Sequence, residues 1–157
     1  GDLEPACLTM LKEVGDWMKV NGAGIYGSTA WKTWGEGQQL SDPNNAKAAP
    51  RPLVHRGKLG AATAALPFNT TDFRFTRARD GSVYAWCMTV PRAGETLRIH
   101  ALGRDAGLFD GEVRSVALVG GGELRWRREA DALAIEWPAD GAAFKHAVGF
   151  RIASARP

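Results

Sequence analysis

The stretch from Val14 to Gly37, VGDWMKVNGAGIYGSTAWKTWGEG, constrains this chain more than any other. It ends a helical pattern, turns on Asn21-Gly22, and then sets Ile25, Tyr26, Trp31 and Trp34 among glycines. It reads as a loop, and a loop this aromatic is unusual, because connecting segments run over the surface and are polar. Tryptophans buried there imply a seam between two packed bodies, whereas exposed ones imply a binding surface. In either case the chain differs in kind on the two sides, helix pattern before and strand pattern after.

Before it, Pro5 suits the first turn of a helix, and Glu4 favours the positive end of the helix dipole. Cys7, Leu11, Val14 and Met18 then recur at spacings of four, three and four, a stripe that Leu8 and Trp17 widen. Lys12, Glu13, Asp16 and Lys19 fall largely on the other side. The spacing predicts an amphipathic helix over 5–20, with Asn21-Gly22 as its left-handed stop. One helix with one apolar stripe has nothing of its own to bury that stripe against. It must dock, either on the strand-patterned remainder of the chain or on something outside it.

After it, residues 38–70 hold four of the eight prolines and a Ser-Asp-Pro-Asn-Asn cluster without a sustained period, which predicts a long loop or linker. AATAAL within it suits a single helical turn, and His55 reads as a solvated loop residue. From residue 71 the period falls to two: Phe73 and Phe75, Tyr84 to Met88, Leu97 and Ile99, Val113 to Val119, Leu124 and Trp126, Leu133 to Trp137, and Val148 to Ile152. Arg79-Asp80-Gly81-Ser82 and Pro91 to Gly94 supply turns. The slip from odd to even between Val113 and Val116 predicts a bulge. Seven short strands of this kind fit an antiparallel β-sandwich over 71–157, with Trp86, Trp126 and Trp137 as core residues.

Composition excludes several function classes. The 157 residues are 45% hydrophobic and 24% charged, and no apolar run is long enough to span a bilayer. A net charge of +3 is spread along the chain with its signs interspersed, and even Arg125, Arg127 and Arg128 are diluted by Trp126 and Glu129. A nucleic-acid binder concentrates its charge on one face, so neither nucleic acid nor membrane is an expected partner. Cys7 and Cys87 match no metal or redox spacing and read as two small buried thiols. His100 and His146 have no ligand partners at motif spacing, and the hydroxyls near them form no triad.

The run LKEVGDWMKVNGAGIYGSTAWKTWGEG resembles the segment that closes the catalytic barrel of retaining α-L-fucosidases, glycoside hydrolase family 29. The matching residues are Gly15, Asp16, Trp17, Asn21, Gly22, Ile25, Tyr26, Gly27, Ser28, Trp31, Gly35, Glu36 and Gly37; Gly24 and Gln38 depart from the family's pattern. Phe73 to Arg77, Tyr84 to Trp86, Gly94-Glu95 and Ser115 to Gly120 resemble that family's C-terminal sandwich. The resemblance implies a mainly β chain: a C-terminal antiparallel β-sandwich preceded by one amphipathic helix that belongs to a (β/α) barrel-type catalytic domain. The division would be 1–37 for the last barrel helix and aromatic loop, 38–70 for the linker, and 71–157 for the sandwich.

The implied activity is that of the parent enzyme, hydrolysis of terminal α-L-fucosyl linkages with retention through a covalent fucosyl-enzyme. The nucleophilic Asp of the family lies on a barrel strand upstream, so no catalytic residue is expected in this chain. Asp16, Glu36 and Asp72 are scattered carboxylates for which surface solvation is the default. The candidate substrate-binding residues are Trp31, Trp34 and Glu36. The tryptophans would stack on sugar or, the reading that weighs more, fill a domain seam. Glu36 would support a sugar-facing loop or hydrogen-bond a hydroxyl or, the reading that weighs more, cap its turn or pair with Lys32. No cofactor or metal is implied. The expected partners are the upstream barrel portion, in the same or a second polypeptide, and a fucosylated glycan. The start of the chain lacks a signal-peptide pattern; for the parent, a secreted, periplasmic or lysosomal-type compartment is implied. An alternative is a carbohydrate-binding sandwich without catalysis, which expects tryptophans exposed in a row; a purely structural module expects an apolar patch with no concave pocket.

Overall fold

The computed structural model describes residues 4–38, 67–139 and 144–155. Helix α1 (Pro5–Asn21) starts at the proline, as its sequence predicts. It does not stop on a left-handed Gly22. That residue is right-handed (φ −56°, ψ −26°), and the chain continues as a 3-10 turn, Gly22–Gly24. Buried Asn21 donates from Nδ2 to the Trp17 carbonyl at 2.9 Å, and the Gly22 N–H bonds the Met18 carbonyl. The last carbonyls are thereby satisfied without a reversal, which comes later at Gly27 (φ 67°). A Cβ at Gly22 would lie 2.8 Å from the ring of exposed Tyr26, which would have to turn aside.

The aromatic stretch read as loop contains a strand, β1 (Thr29–Glu36). It pairs antiparallel with β2 (Phe73–Arg77), from Thr29 opposite Arg77 to Glu36 opposite Phe73, with an irregularity between Ala30 and Gly35. The remaining strands are β3 (Val83–Cys87), β4 (Thr96–Ile99), β5 (Val113–Leu118), β6 (Trp126–Arg128), β7 (Leu133–Glu136) and β8 (Val148–Ser154). The seven strands expected beyond residue 71 are therefore present. All pairings are antiparallel, giving one sheet ordered β1-β2-β3-β8-β5 and a second ordered β4-β7-β6. The expected bulge in β5 falls between Val113 and Ser115.

The sheets share one core. Leu97, Ile99, Leu133 and Ile135 from the smaller sheet meet Phe73, Phe75, Val148, Phe150 and Ile152 from the larger. The β2–β3 turn closes with the Ala78 N–H on the Ser82 carbonyl at 2.9 Å and Gly81 at φ 85°. In β3 the small residues Val83, Ala85 and Cys87 face this core, while Tyr84 and Trp86 point to the opposite face and form a second cluster with Val119 and Trp17. Trp86 is thus core, as expected, but beneath the helix; Trp137 is buried in the main core and Trp126 only half-buried beside it. Arg128 also turns inward. Its Nε donates to the Leu102 carbonyl at 3.0 Å, Nη1 to the Gly111 carbonyl at 2.8 Å, and its guanidinium lies 5.3 Å from the Phe109 ring centroid. Residues 39–66, most of the expected linker with AATAAL and His55, lie outside the described residues.

Candidate functional site

Helix α1 is fixed to the outer face of the larger sheet by one side only. The Trp17 ring lies 5.3 Å from that of Trp86, and its Nε1–H donates to the Ala147 carbonyl at 2.8 Å. Thr76 Oγ1 donates to the Gly24 carbonyl at 2.6 Å, drawing the turn after the helix onto β2. Gly24 is required by this approach, because a Cβ there would fall within the rings of Tyr84 and Trp86. The departure from the family pattern at this position is thus matched to the aromatics beneath it.

In the turns before Trp17, the apolar side chains of α1 are uncovered. Leu8, Met10, Leu11 and Val14 are 53%, 58%, 54% and 53% exposed. Of the predicted stripe, Cys7 and Met18 are half-buried, and Leu11 and Val14 face outward. Burying a side chain of this size is worth roughly 1.5–3 kcal/mol, so four in water leave a large stabilisation unrealised. A groove of about 230 Å³ continues the face, lined by Met10, Glu13, Val14, Trp17, His146 and Ala147, with Glu13 and His146 3.8 Å apart at its rim. On the polar flank Asp16 accepts from Lys19 at 2.7 Å and Lys12 at 2.9 Å, which hold its carboxyl down at about 2.

The three residues singled out in the aromatic stretch part company. Trp31 is buried, its ring edge-on to Phe75 at 5.1 Å, and offers no open face to a ligand. Trp34 is 51% exposed and carries the Arg74 guanidinium over its ring at 5.1 Å. Glu36 caps a 3-10 turn (His100–Leu102): its Oε1 accepts the His100 N–H at 2.8 Å and its Oε2 the Ala101 N–H at 2.6 Å. Burial raises its pKa, and the two backbone donors only partly counter this. Lys32 pairs with Asp110 at 2.6 Å rather than with Glu36.

Asp72, expected on the surface, is fully buried, and its Oδ2 accepts the Asn69 N–H at 2.9 Å. Asp16, Glu36 and Asp72 are therefore each committed to a structural hydrogen-bond set. The thiols of Cys7 and Cys87 are free; Cys7 is only half-buried, and burial pushes the Cys87 thiol up to about 11, which keeps it unreactive. Among the described residues no His, Cys, Asp and Glu group is arranged to hold a metal, and no helix is long and apolar enough to cross a membrane.

No protein-family profile and no curated protein matches the chain. Solved structures do match its fold. The chain superposes on an alpha-fucosidase of Thermotoga maritima with a TM-score of 0.61 at 15% identity, over 98% of this chain and 28% of that one. It superposes on alpha-L-fucosidase isoenzyme 1 from Paenibacillus thiaminolyticus with a TM-score of 0.57 at 18% identity, over 99% of this chain and again 28% of the other. At these identities the likeness is one of fold, and the chain spans little more than a quarter of either enzyme's length.

Proposed function

We propose that this chain is the C-terminal portion of an α-L-fucosidase, in which α1 completes the catalytic barrel and the sandwich braces it. The observation that carries the reading is the half-covered helix. Trp17, near its C-terminal end, locks it to the sheet, while Leu8, Met10, Leu11 and Val14 in the turns before it stand in water, as a surface made to be covered does. The fold it shares with a quarter of two solved fucosidases supports reading that cover as a catalytic barrel.

The reaction of the assembled enzyme would be hydrolysis of a terminal α-L-fucosyl bond with retention. It uses a nucleophilic carboxylate that attacks the anomeric carbon and a second carboxyl that protonates the leaving oxygen and then activates water. Both groups are assigned to the barrel, outside this chain. Support from within the chain is the structural employment of Asp16, Glu36 and Asp72. The carbohydrate-binding alternative needs a row of exposed tryptophans; of six, Trp34 alone is more than half exposed.

The test is an assay with an aryl α-L-fucoside. The chain alone is expected to show no turnover, and the chain joined to its upstream coding sequence is expected to turn over. Activity of the chain alone that vanishes on replacing one of its own acids would overturn the assignment.

A further inference from the structure

Arg74 occupies a setting that the proposed hydrolysis does not use. It projects from β2 onto the outer face of the larger sheet, opposite Trp86 in the register with β3. Its guanidinium carbon lies over two aromatic rings, 5.1 Å from the centroid of Trp34 and 5.8 Å from that of Phe68. Gly35 makes room for it: a Cβ there would lie 3.0 Å from the Arg74 Cδ and 3.2 Å from Nη1. The arginine thus has two rings and a glycine close about it.

A guanidinium engaged on aromatic rings still presents the edge of its plane to a ligand. A guanidinium carries five N–H donors in that plane. Nη1 donates to the Phe73 carbonyl at 2.8 Å and at long range, 3.5 Å, to that of Glu36. Among the described residues Arg74 forms no ion pair, whereas Arg98, Arg128 and Arg151 each do. Asp72, the carboxylate that acts on it electrostatically, accepts from Asn69 instead. A half-buried, pre-oriented cation with in-plane donors left over is matched to a planar oxyanion, which it binds through two parallel hydrogen bonds. Trp34 and Phe68 are 51% and 45% exposed, so each adds uncovered aromatic surface beside the cation, of the kind that packs on the C–H faces of a sugar ring.

We propose that Trp34, Arg74 and Phe68 form a subsite for an acidic sugar, with the carboxylate of a uronic acid residue on Arg74 and its ring against the flanking aromatics. The subsite lies on the sandwich, where β1 meets β2. It would hold an acidic stretch of a glycan while another part of that glycan is processed.

The experiment is calorimetric titration of the full chain with tri-galacturonate and with its methyl-esterified form, which keeps the sugar skeleton and removes the charge. Tri-galacturonate is expected to bind at least tenfold more tightly than the ester, and more weakly as salt rises. Arg74→Lys keeps the charge but loses the planar fork, so it is expected to lose most of that preference; Trp34→Ala is expected to weaken both ligands. Trp34 is exposed and Arg74 half-buried, and circular dichroism of each variant checks that the sandwich is intact. Equal binding of acid and ester, no binding of either at millimolar concentration, or an unchanged preference in Arg74→Lys would refute the subsite. Binding of tetra-glutamate as tight as that of tri-galacturonate would reassign the arginine to a protein carboxylate and likewise refute it.

Discussion

Glu36 joins the two sheets through a single side chain. It ends the edge strand β1, and its two oxygens take the N–H groups of His100 and Ala101 at the start of the turn after β4. Those N–H groups have no partner within their own turn, so the carboxylate satisfies donors that would otherwise be stranded. Burial raises its pKa above the ordinary 4.5, so the folded chain holds the proton more tightly than the unfolded chain does. The stability contributed by this titration is fully present below the unfolded value and is lost as pH rises through the raised folded value. Glu36→Gln abolishes the titration. In urea unfolding from about pH 4 to about pH 7, the variant is expected to gain on the wild type as pH climbs; a drift in the other direction would contradict the burial-driven shift. The lowered carboxyls of Asp80, Asp110 and Asp131 titrate on the acid side of this window and do not mask it. The sequence suggests a cap on its own turn or a pair with Lys32 and does not reach this one, because the partners lie 64 and 65 residues away.

At the scale of elements, strict two-residue alternation located the core. Leu97, Ile99, Leu133, Ile135, Val148, Phe150 and Ile152 are all 2% exposed or less, on three strands from both sheets. Strand β7 is the centre of the smaller sheet, with β4 and β6 on its two sides, so Ile135 has neighbours in every direction. Ile135→Ala is expected to cost about 2–5 kcal/mol, measured as a shift in the urea midpoint with an unchanged slope. A loss below about 0.5 kcal/mol would mean that this register is wrong. Alternation failed where its premise failed. In β3 both faces are buried, so the bulky Tyr84 and Trp86 mark the face under the helix and the small Val83, Ala85 and Cys87 the sandwich core. In β1 only Trp31 is fully buried, the pairing is interrupted, and the partner strand begins at Phe73, so no local period announces the strand. Phe68 and Arg74 were passed over for a related reason: their meeting with Trp34 depends on that same pairing.

For the whole molecule, the decisive surface is the outer side of α1. The helix was legible from its stripe and its terminal proline. Which part of the stripe is covered here was not, because that depends on Trp17 finding Trp86 and the carbonyl of Ala147. Leu11 and Val14 contribute little to this chain's own fold, since each is more than half exposed. Replacing both by lysine keeps good helix formers in the helix and removes an apolar surface from water. The doubly substituted chain is therefore expected to unfold within about 0.5 kcal/mol of the wild type, and to be more soluble. Under the proposed reading, in which a catalytic barrel covers this face in the chain joined to its upstream coding sequence, the same pair of lysines would be buried, where an unpaired charge is far costlier than an exposed one. Fucosidase activity and thermal stability of the joined protein are then expected to fall together, although the isolated chain is unharmed. If the joined protein tolerates both lysines as well as the isolated chain does, the face is not covered by the barrel, and the helix ends as a decoration of the sandwich.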